Sequence, residues 1–402
     1  MNAAIVTIGN ELLAGYTVDS NATWMGRKLM DLGIETVFKI SVRDVKKEVT
    51  DALALAGEKG DVILTTGGLG PTLDDVTKEA FCQFSGASLV FHEEYYETLR
   101  RKFRSRGMEM PESNRDQARI PDRGDIIPNP RGSALGIAYE RGGKRFYLLP
   151  GVPLEMKTMM EETVLPRLKK LVSSPKMVTT LRTTGMPESA VMDRVSDLVT
   201  ASDVRVAFIP GFTGVDIRLT SSRREAVGEL ASALRDRLGS AVYGEGWVKL
   251  EETVGTLLRN RGLTVSAAES CTGGLLGDRL TDVPGSSDYF LGGVVCYANE
   301  SKVSTVGVTE STLATAGAVS EEAAREMASG VRRVFQADIG ISITGIAGPT
   351  GATAGKPVGL TFIGLDFAGD SQVNRYVFTD DRRFNKELAA QTALNILRLS
   401  LM

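Results

Sequence analysis

Residues 61–75, DVILTTGGLGPTLDD, carry the pattern that decides the fold of the first part of the chain. A short apolar run stops at the glycine pair Gly67 and Gly68, and a helical pattern follows from Val76 to Phe84. Apolar runs of this length that end at glycines are typical of buried strands. The stretch therefore predicts a strand, a glycine-rich loop and a helix.

The same order recurs on the amino-terminal side of this stretch. AAIVTI (3–8) precedes the loop GNELLAG (9–15), and IETVFKISV (34–42) precedes a helical pattern over 45–58. Strands that alternate with helices of about 10–15 residues predict parallel βαβ units with both sheet faces covered. We therefore expect a three-layer α/β domain over residues 1–168.

The pattern changes after this domain and then returns. Residues 176–245 contain short strand patterns with helices predicted around 187–199 and 223–238, which indicates a small α+β connecting domain. The α/β pattern resumes over 249–402. The sequence therefore predicts three domains, of which the first and the last are α/β.

Composition excludes several kinds of site. The chain of 402 residues has one histidine, His92, so a histidine-clustered zinc or iron site cannot be built. Three cysteines without a C-x-x-C pair give no disulfide framework and favour a reducing compartment. A net charge of −3 argues against a nucleic-acid partner. Because no apolar run approaches the roughly 18 residues of a membrane span, we expect a cytoplasmic protein without a membrane partner.

The glycines of the first loop predict a ligand that carries phosphate. Glycines at the carboxyl end of a strand let backbone N–H groups approach an anion, and the following helix adds positive charge. The spacing matches neither a dinucleotide fingerprint, since Leu73 occupies the last glycine position, nor a P-loop. Thr72 and Asp75 also match a capping box, which would need no ligand. Both interpretations stay open.

Acidic residues follow three of the predicted strands. Glu11 comes after the first strand, Asp44 after the second, and Asp74 with Asp75 after the third. Open α/β sheets bind ligands at this edge. If the four carboxylates converge there, they suit a divalent metal such as Mg²⁺ held against substrate phosphates.

The motifs GNELLAG, TTGGLGPTLDD, NPRGSALG (129–136) and LLPGVPLEM (148–156) resemble the amino-terminal domain of the competence/damage-inducible CinA family, a relative of molybdopterin-binding domains. The resemblance implies a nucleotide ligand and, in several members, metal-dependent ADP-ribose pyrophosphatase activity; molybdopterin-like binding alone is the alternative. Asp74 and Asp75 would serve metal or water. The resemblance assigns the phosphate cradle and the pocket lining to Gly67, Gly68, Gly70, Thr72, Asn21, Asn129 and Gly151.

A second group of reactive residues lies in SAAESCTGG (266–274), where Ser270 ends a predicted strand. A serine hydroxyl can attack a carbonyl if a base accepts its proton, and this part of the chain contains no histidine. Lys302, on a predicted strand-to-loop passage five residues after Tyr297, is the remaining base, since burial lowers the pKa of lysine. Tyrosine can relay the proton.

Ser270 and its neighbour also have ordinary interpretations. A serine between a strand and a helix is commonly a helix cap. Cys271 is the rival nucleophile, but without a histidine or cationic neighbour we expect its thiol to stay protonated and to pack in the core.

AESCTGG, the tyrosine-to-lysine stretch and SITGIAGP (342–349) closely resemble the carboxy-terminal domain of the same family, which also occurs alone as a nicotinamide mononucleotide (NMN) deamidase. The resemblance implies that Ser270 attacks the NMN carboxamide while Lys302 and Tyr297 handle the proton, which gives nicotinate mononucleotide and ammonia without a cofactor. It assigns oxyanion and substrate binding to Thr344, Gly345, Gly348, Gly273 and Gly274.

The family resemblance also implies a homodimer that acts in pyridine nucleotide recycling. A hypothesis of another class makes the chain a nucleotide-responsive partner-binding protein linked to competence or DNA damage. The presence of Ser270, Tyr297, Lys302 and Thr344 together favours the enzyme.

Overall fold

The computed structural model describes residues 1–105, 107–172 and 176–402. The chain forms two compact units, Met1–Val178 and Thr179–Met402, so most of the predicted connecting domain shares a unit with the carboxy-terminal domain. Across the described ranges, no helix is long and apolar enough to cross a membrane.

The first unit alternates strands and helices up to residue 105, as its sequence predicts, and then has four consecutive strands. Its strands are β1 (Asn2–Ile8), β2 (Glu35–Val42), β3 (Val62–Thr66), β4 (Leu89–Phe91), β5 (Arg119–Pro121), β6 (Asp125–Ile127), β7 (Gly136–Arg141) and β8 (Lys144–Leu149). Its helices are α1 (Asn10–Leu13), α2 (Ser20–Asp31), α3 (Lys46–Lys59), α4 (Thr77–Ser85), α5 (Glu93–Ser105), α6 (Pro153–Met159) and α7 (Leu165–Leu171).

The main sheet of this unit has the order β2-β1-β3-β8-β7-β6. The first four of these strands are parallel, and β7 and β6 are antiparallel to their neighbours. Met25 of α2 and Met156 of α6 pack on one face of the sheet, and Leu53 of α3 and Phe81 of α4 pack on the other. The central strands β1 and β3 are buried along almost their whole length because both of their faces are covered. The predicted three-layer α/β fold is confirmed.

The second unit contains two sheets. Its strands are β9 (Met177–Thr183), β10 (Arg205–Gly211), β11 (Gly214–Ser221), β12 (Val242–Glu245), β13 (Val265–Glu269), β14 (Phe290–Val295), β15 (Ile339–Gly345), β16 (Leu360–Phe367) and β17 (Asp370–Val377). Its helices are α8 (Glu188–Thr200), α9 (Arg224–Leu238), α10 (Leu250–Arg261), α11 (Leu275–Thr281), α12 (Asn299–Val306), α13 (Glu310–Thr315), α14 (Glu321–Phe335) and α15 (Arg382–Ser400).

The sheet β10-β11-β9-β12 with helices α8 and α9 forms the predicted α+β segment. The larger sheet has the order β14-β13-β15-β16-β17, in which the first three strands are parallel and the last two antiparallel. Leu258 of α10, Leu276 of α11 and Leu394 of α15 share one core with Ile341 of β15, while Met327 of α14 lies in a second core. The carboxyl ends of the parallel strands therefore meet at one edge, where Ser270 lies.

Candidate functional site

Ser270 directly follows β13 and is held by the neighbouring strand. Its N–H donates to the carbonyl of Ile343 in β15 (2.9 Å), and the residue is 8% exposed. Helix α11 begins only at Leu275, after Gly274. The helix-cap alternative for Ser270 is therefore wrong, and its hydroxyl is left for other contacts.

Glu269 holds the start of α11 instead. Its buried carboxylate accepts hydrogen bonds from the N–H groups of Gly274 (3.0 Å), Leu276 (3.0 Å) and Gly277 (2.8 Å). Sequence reasoning missed this residue, although an acidic side chain close before a glycine pair and a helix start was an available signal. The contacts fix the loop that carries Ser270.

Glu269→Gln should destabilise this unit by about 1–3 kcal/mol, because an amide in place of the carboxylate removes an acceptor from buried N–H groups. The measurement is urea unfolding of the full chain, in which the midpoint of the transition of this unit moves to a lower urea concentration. Glu229→Gln, an exposed position on α9, is the matched control and should unfold like the wild type. Equal midpoints for the two variants would contradict the assigned role.

Lys302 is the partner of Ser270. It lies in the first turn of α12, so the predicted strand-to-loop location is wrong; the helix directs the side chain back toward its own amino terminus. Its Nζ donates to Ser270 Oγ (3.0 Å) and to the carbonyls of Cys296 (2.8 Å) and Tyr297 (3.2 Å). Lys302 is 1% exposed.

Burial sets the protonation of the groups around Ser270. It lowers the pKa of the Lys302 ammonium below that of an exposed lysine, because the charged form loses water. Burial likewise raises the pKa of the Cys271 thiol to about 11. The expectation that Cys271 is a protonated, buried side chain is confirmed, and the thiol is a weak rival to the serine.

Tyr297 contacts Lys302 through its backbone carbonyl. Its phenol oxygen accepts a hydrogen bond from Arg382 Nη2 (2.9 Å) at an exposed position, and Arg382 Nη1 donates to the carbonyl of Gly348 (2.9 Å). Arg382, in the first turn of α15, thus joins Tyr297 to the 345–349 loop. Sequence reasoning missed Arg382 because it lies 80 residues after Lys302.

Thr344 and the loop after it form the wall beside Ser270. Thr344 follows Ile343, which accepts the Ser270 N–H, but its own buried hydroxyl donates to the carbonyl of Ala318 (2.7 Å). Gly348 has φ +87°, and a Cβ there would lie 2.5 Å from Val358 Cγ1, so this turn requires glycine. Backbone groups, rather than the Thr344 hydroxyl, are what this wall can offer a ligand.

The glycine loop of the first unit packs against the end of β1. Gly67 has φ +112°, and a Cβ there would lie 2.1 Å from the carbonyl oxygen of Ile8. Asp75 accepts hydrogen bonds from the N–H groups of Gly70 and Thr72 (both 2.8 Å) and from the Thr72 hydroxyl. The predicted capping box is formed in part: Asp75 accepts the N–H of Thr72 as such a box requires, but the box does not cap α4, which starts at Thr77 without a side-chain cap. Asp75 holds the loop itself.

Asn21 bridges two loops at this edge of the sheet. Its Nδ2 donates to Thr66 Oγ1 (3.0 Å) and to the carbonyl of Gly151 (2.8 Å). Its Oδ1 is buried and, among the residues that the structure describes, has no hydrogen-bond partner. A buried acceptor without a donor costs free energy, so this oxygen is suited to a ligand N–H or O–H group.

Asn129 organises the loop that follows β6. Its Nδ2 donates to the carbonyl of Ala134 (2.8 Å) and to Glu155 Oε2 (2.6 Å), and its Oδ1 accepts from the N–H groups of Arg131 (3.0 Å) and Gly132 (2.8 Å). The side chain is nearly fully buried. Asn129 therefore holds this loop with all of its hydrogen-bonding capacity in use.

The charges of Glu11 and Asp74 act on the carboxylate of Asp44. Burial, followed by the negative charges of Glu11 and Asp74, raises the pKa of Asp44, while the N–H of Asn10 donates to its Oδ2 (2.8 Å). In the described ranges, no three His, Cys, Asp or Glu side chains form a cluster that could hold a metal ion, so the expected convergence of Glu11, Asp44, Asp74 and Asp75 into a metal site is not observed. The carboxylate of Asp75 is engaged with its own loop. Glu11, Asp44 and Asp74 are hard oxygen donors, and a divalent cation beside them would need further ligands from a bound substrate.

Two proteins are similar to this chain over almost their whole length. A CinA-like protein of Salinibacter ruber is 40% identical, with 100% of both chains covered. A CinA-like protein of Gemmatimonas aurantiaca is 43% identical, with 99% of this chain and 96% of the relative covered.

The chain belongs to the CinA family. Three family models match it: the probable molybdopterin binding domain over residues 4–170, the damage-inducible protein CinA KH domain over 178–244 and the CinA C-terminal domain over 248–401. A CinA superfamily crystal structure from Klebsiella pneumoniae 700603 is 35% identical, with 38% of this chain and 95% of that chain covered and a TM-score of 0.37. Ser270 and Lys302 both lie in the CinA C-terminal domain.

Proposed function

We propose that the CinA C-terminal domain of this chain hydrolyses the carboxamide of NMN to nicotinate mononucleotide and ammonia, in pyridine nucleotide recycling. The observation that carries the proposal is the buried contact of Lys302 Nζ with Ser270 Oγ at 3.0 Å. It supplies a nucleophile and a base in a part of the chain that has no histidine.

The contacts of Lys302 allow it to act as a base once its ammonium has lost one proton. A neutral amine has two N–H groups and one lone pair. When the carbonyls of Cys296 and Tyr297 accept the two N–H groups, the lone pair is left for the hydroxyl proton of Ser270. Burial lowers the pKa of Lys302 and so increases the neutral fraction.

The reaction then proceeds in two steps, acylation of Ser270 and hydrolysis of the ester. Ser270 Oγ bonds to the carboxamide carbon as its proton moves to Lys302; that proton passes to the amide nitrogen, the C–N bond breaks and ammonia leaves. Water next gives a proton to Lys302 and attacks the ester, and the proton returns to Ser270. Backbone N–H groups at 271–272 and 347–348 are the candidates for stabilising the oxyanion, a contribution of about 3–4 kcal/mol per donor, since those of Ser270, Gly274 and Ile346 donate within the protein.

Ammonia release from NMN by the full chain tests the proposal. We expect turnover without added metal, with nicotinate mononucleotide as the second product. Absence of turnover would overturn the deamidase assignment and would favour the partner-binding hypothesis, in which the chain binds nucleotide without consuming it.

We also propose that the first unit binds ADP-ribose and hydrolyses its pyrophosphate with a divalent metal. The unpartnered Oδ1 of Asn21 and the glycine loop held by Asp75 support the binding of a nucleotide. Asp44, with Glu11 and Asp74, would hold the metal, which neutralises charge on the phosphates when bound.

Asp75→Ala should lower AMP production from ADP-ribose by about tenfold or more, because the N–H groups of Gly70 and Thr72 lose their acceptor and the phosphate loop loses its shape. AMP would be measured with Mg²⁺, Mn²⁺ or Co²⁺. Glu140→Gln, an exposed carboxylate at the opposite end of the sheet, is the control and should leave the rate unchanged. Absence of AMP from the wild type with every metal would leave binding as the only activity of this unit.

A further inference from the structure

The α+β segment of residues 176–245, called the connecting segment below, contacts the carboxy-terminal domain through two stacked aromatic rings. Phe212, in the two-residue turn between β10 and β11, stacks on Phe384 of α15 with ring centroids 3.9 Å apart and an interplanar angle of 23°. Both side chains remain partly exposed, at 46% and 44%. The contact is local to the first turn of α15 and lies outside the buried cores.

That first turn of α15 also holds the Ser270 site. Arg382 donates to the Tyr297 hydroxyl and to the Gly348 carbonyl, both at 2.9 Å. Asn385, which is 2% exposed, donates to the carbonyls of Ala347 and Thr379, both at 2.9 Å. Phe384 lies between these two residues, so a contact that fixes Phe384 also restrains Arg382 and Asn385.

The turn that carries Phe212 is itself held in place. Gln391 of α15 donates to Thr184 Oγ1 (3.1 Å), and Thr184 Oγ1 donates to the carbonyl of Thr213 (2.9 Å). A Cβ on Gly214 would lie 1.9 Å from the carbonyl oxygen of Thr183, so this end of the turn lies directly against β9. Phe212 is thus presented to α15 by a turn with little freedom to move.

We propose that Phe212 of the connecting segment is a positioning residue for the Ser270 site, and that it acts through Phe384 on the Tyr297 and Gly348 loops. The inference rests on the proposed deamidase function for its kinetic consequence only. Ser270 and Lys302 themselves are held by β13, β15 and α12, so Phe212 affects how the surrounding loops receive the substrate more than the chemical step.

Phe212→Ala in the full chain should raise the KM for NMN by about 3- to 10-fold and change kcat by less than about twofold, since it weakens the restraint on the loops and leaves the nucleophile and base in place. Phe212→Tyr keeps the aromatic ring and should have the same KM for NMN as the wild type. Met192→Ala removes another partly exposed apolar side chain (37%) from the same segment and should leave the KM unchanged.

Amide hydrogen exchange provides a readout that does not depend on activity. Exchange at residues 345–349 and 379–385 should be faster in Phe212→Ala than in the wild type, and unchanged in Phe212→Tyr and Met192→Ala. Unchanged exchange in Phe212→Ala, or an equal increase in Met192→Ala, would overturn the positioning role. If exchange is faster in Phe212→Ala than in the wild type but the wild type does not turn over NMN, the proposed function is overturned and the positioning role stands.

Discussion

Ser270→Ala should reduce ammonia release from NMN by at least about 10³-fold, because Ser270 is the nucleophile beside Lys302 Nζ and, among the described residues, no second hydroxyl contacts that nitrogen. The contact of Ser270 with β15 is made by its backbone N–H, and the Glu269 contacts do not involve its hydroxyl, so the loss of one oxygen leaves both in place. The measurement is steady-state ammonia release by the full chain, with thermal unfolding as a check that the variant is folded.

The adjacent cysteine provides the control for this variant. Cys271→Ala should retain activity within a few-fold, since burial keeps the thiol protonated with a pKa of about 11. Ser270→Ala with full turnover, or Cys271→Ala with a loss as large as that expected for Ser270→Ala, would assign the nucleophile to the wrong residue.

Most of the fold follows from local patterns in the sequence. Strands such as β1 and β3 have apolar runs and are followed by glycines, and helices such as α9 were predicted within one residue of their observed bounds. Their order alone predicts a covered parallel sheet. The antiparallel strands β16 and β17 depend on pairing between neighbours, and periodicity does not report that pairing.

The nucleophile and base could be chosen from the sequence, but the geometry around them could not. Absence of histidine beside Ser270 left Lys302 as the base, and the structure brings the two together at 3.0 Å. The location of Lys302 was mispredicted because an eight-residue helix with few apolar residues has little periodic signal. Arg382 was missed because only tertiary packing brings the start of α15 to Tyr297.

In the first unit, the separate roles of two adjacent carboxylates could likewise not be predicted from the sequence. Asp74 and Asp75 are equivalent in sequence, yet Asp75 turns back to the N–H groups of its own loop while Asp74 is exposed. The backbone conformation of this glycine-rich loop determines which of the two side chains faces the loop. Glycines allow several backbone conformations, so the sequence does not specify which one is adopted. Sequence could therefore place both residues at the site without dividing their roles.

Lys302→Met should lower ammonia release by about 10³-fold or more, because Ser270 then has no base and the leaving nitrogen has no proton donor. Methionine is similar to lysine in length and suits a buried position, which limits the structural cost to the unpaired carbonyls of Cys296 and Tyr297. Lys302→Arg should be similarly inactive, since a guanidinium stays protonated. Turnover above about a tenth of the wild-type rate in either variant would contradict a base role for Lys302.

The pH dependence of the wild type tests the same residue without a mutation. Only neutral Lys302 can accept the Ser270 proton, so kcat/KM should rise with pH through the pKa of this lysine, which burial places below that of an exposed lysine. Between the lowered and the ordinary pKa the unfolded chain binds more protons than the native chain, so the contribution of Lys302 to stability also rises with pH in that window. A kcat/KM that is flat across the window would mean that the serine loses its proton to another group, and the 3.0 Å contact would then have only a structural role.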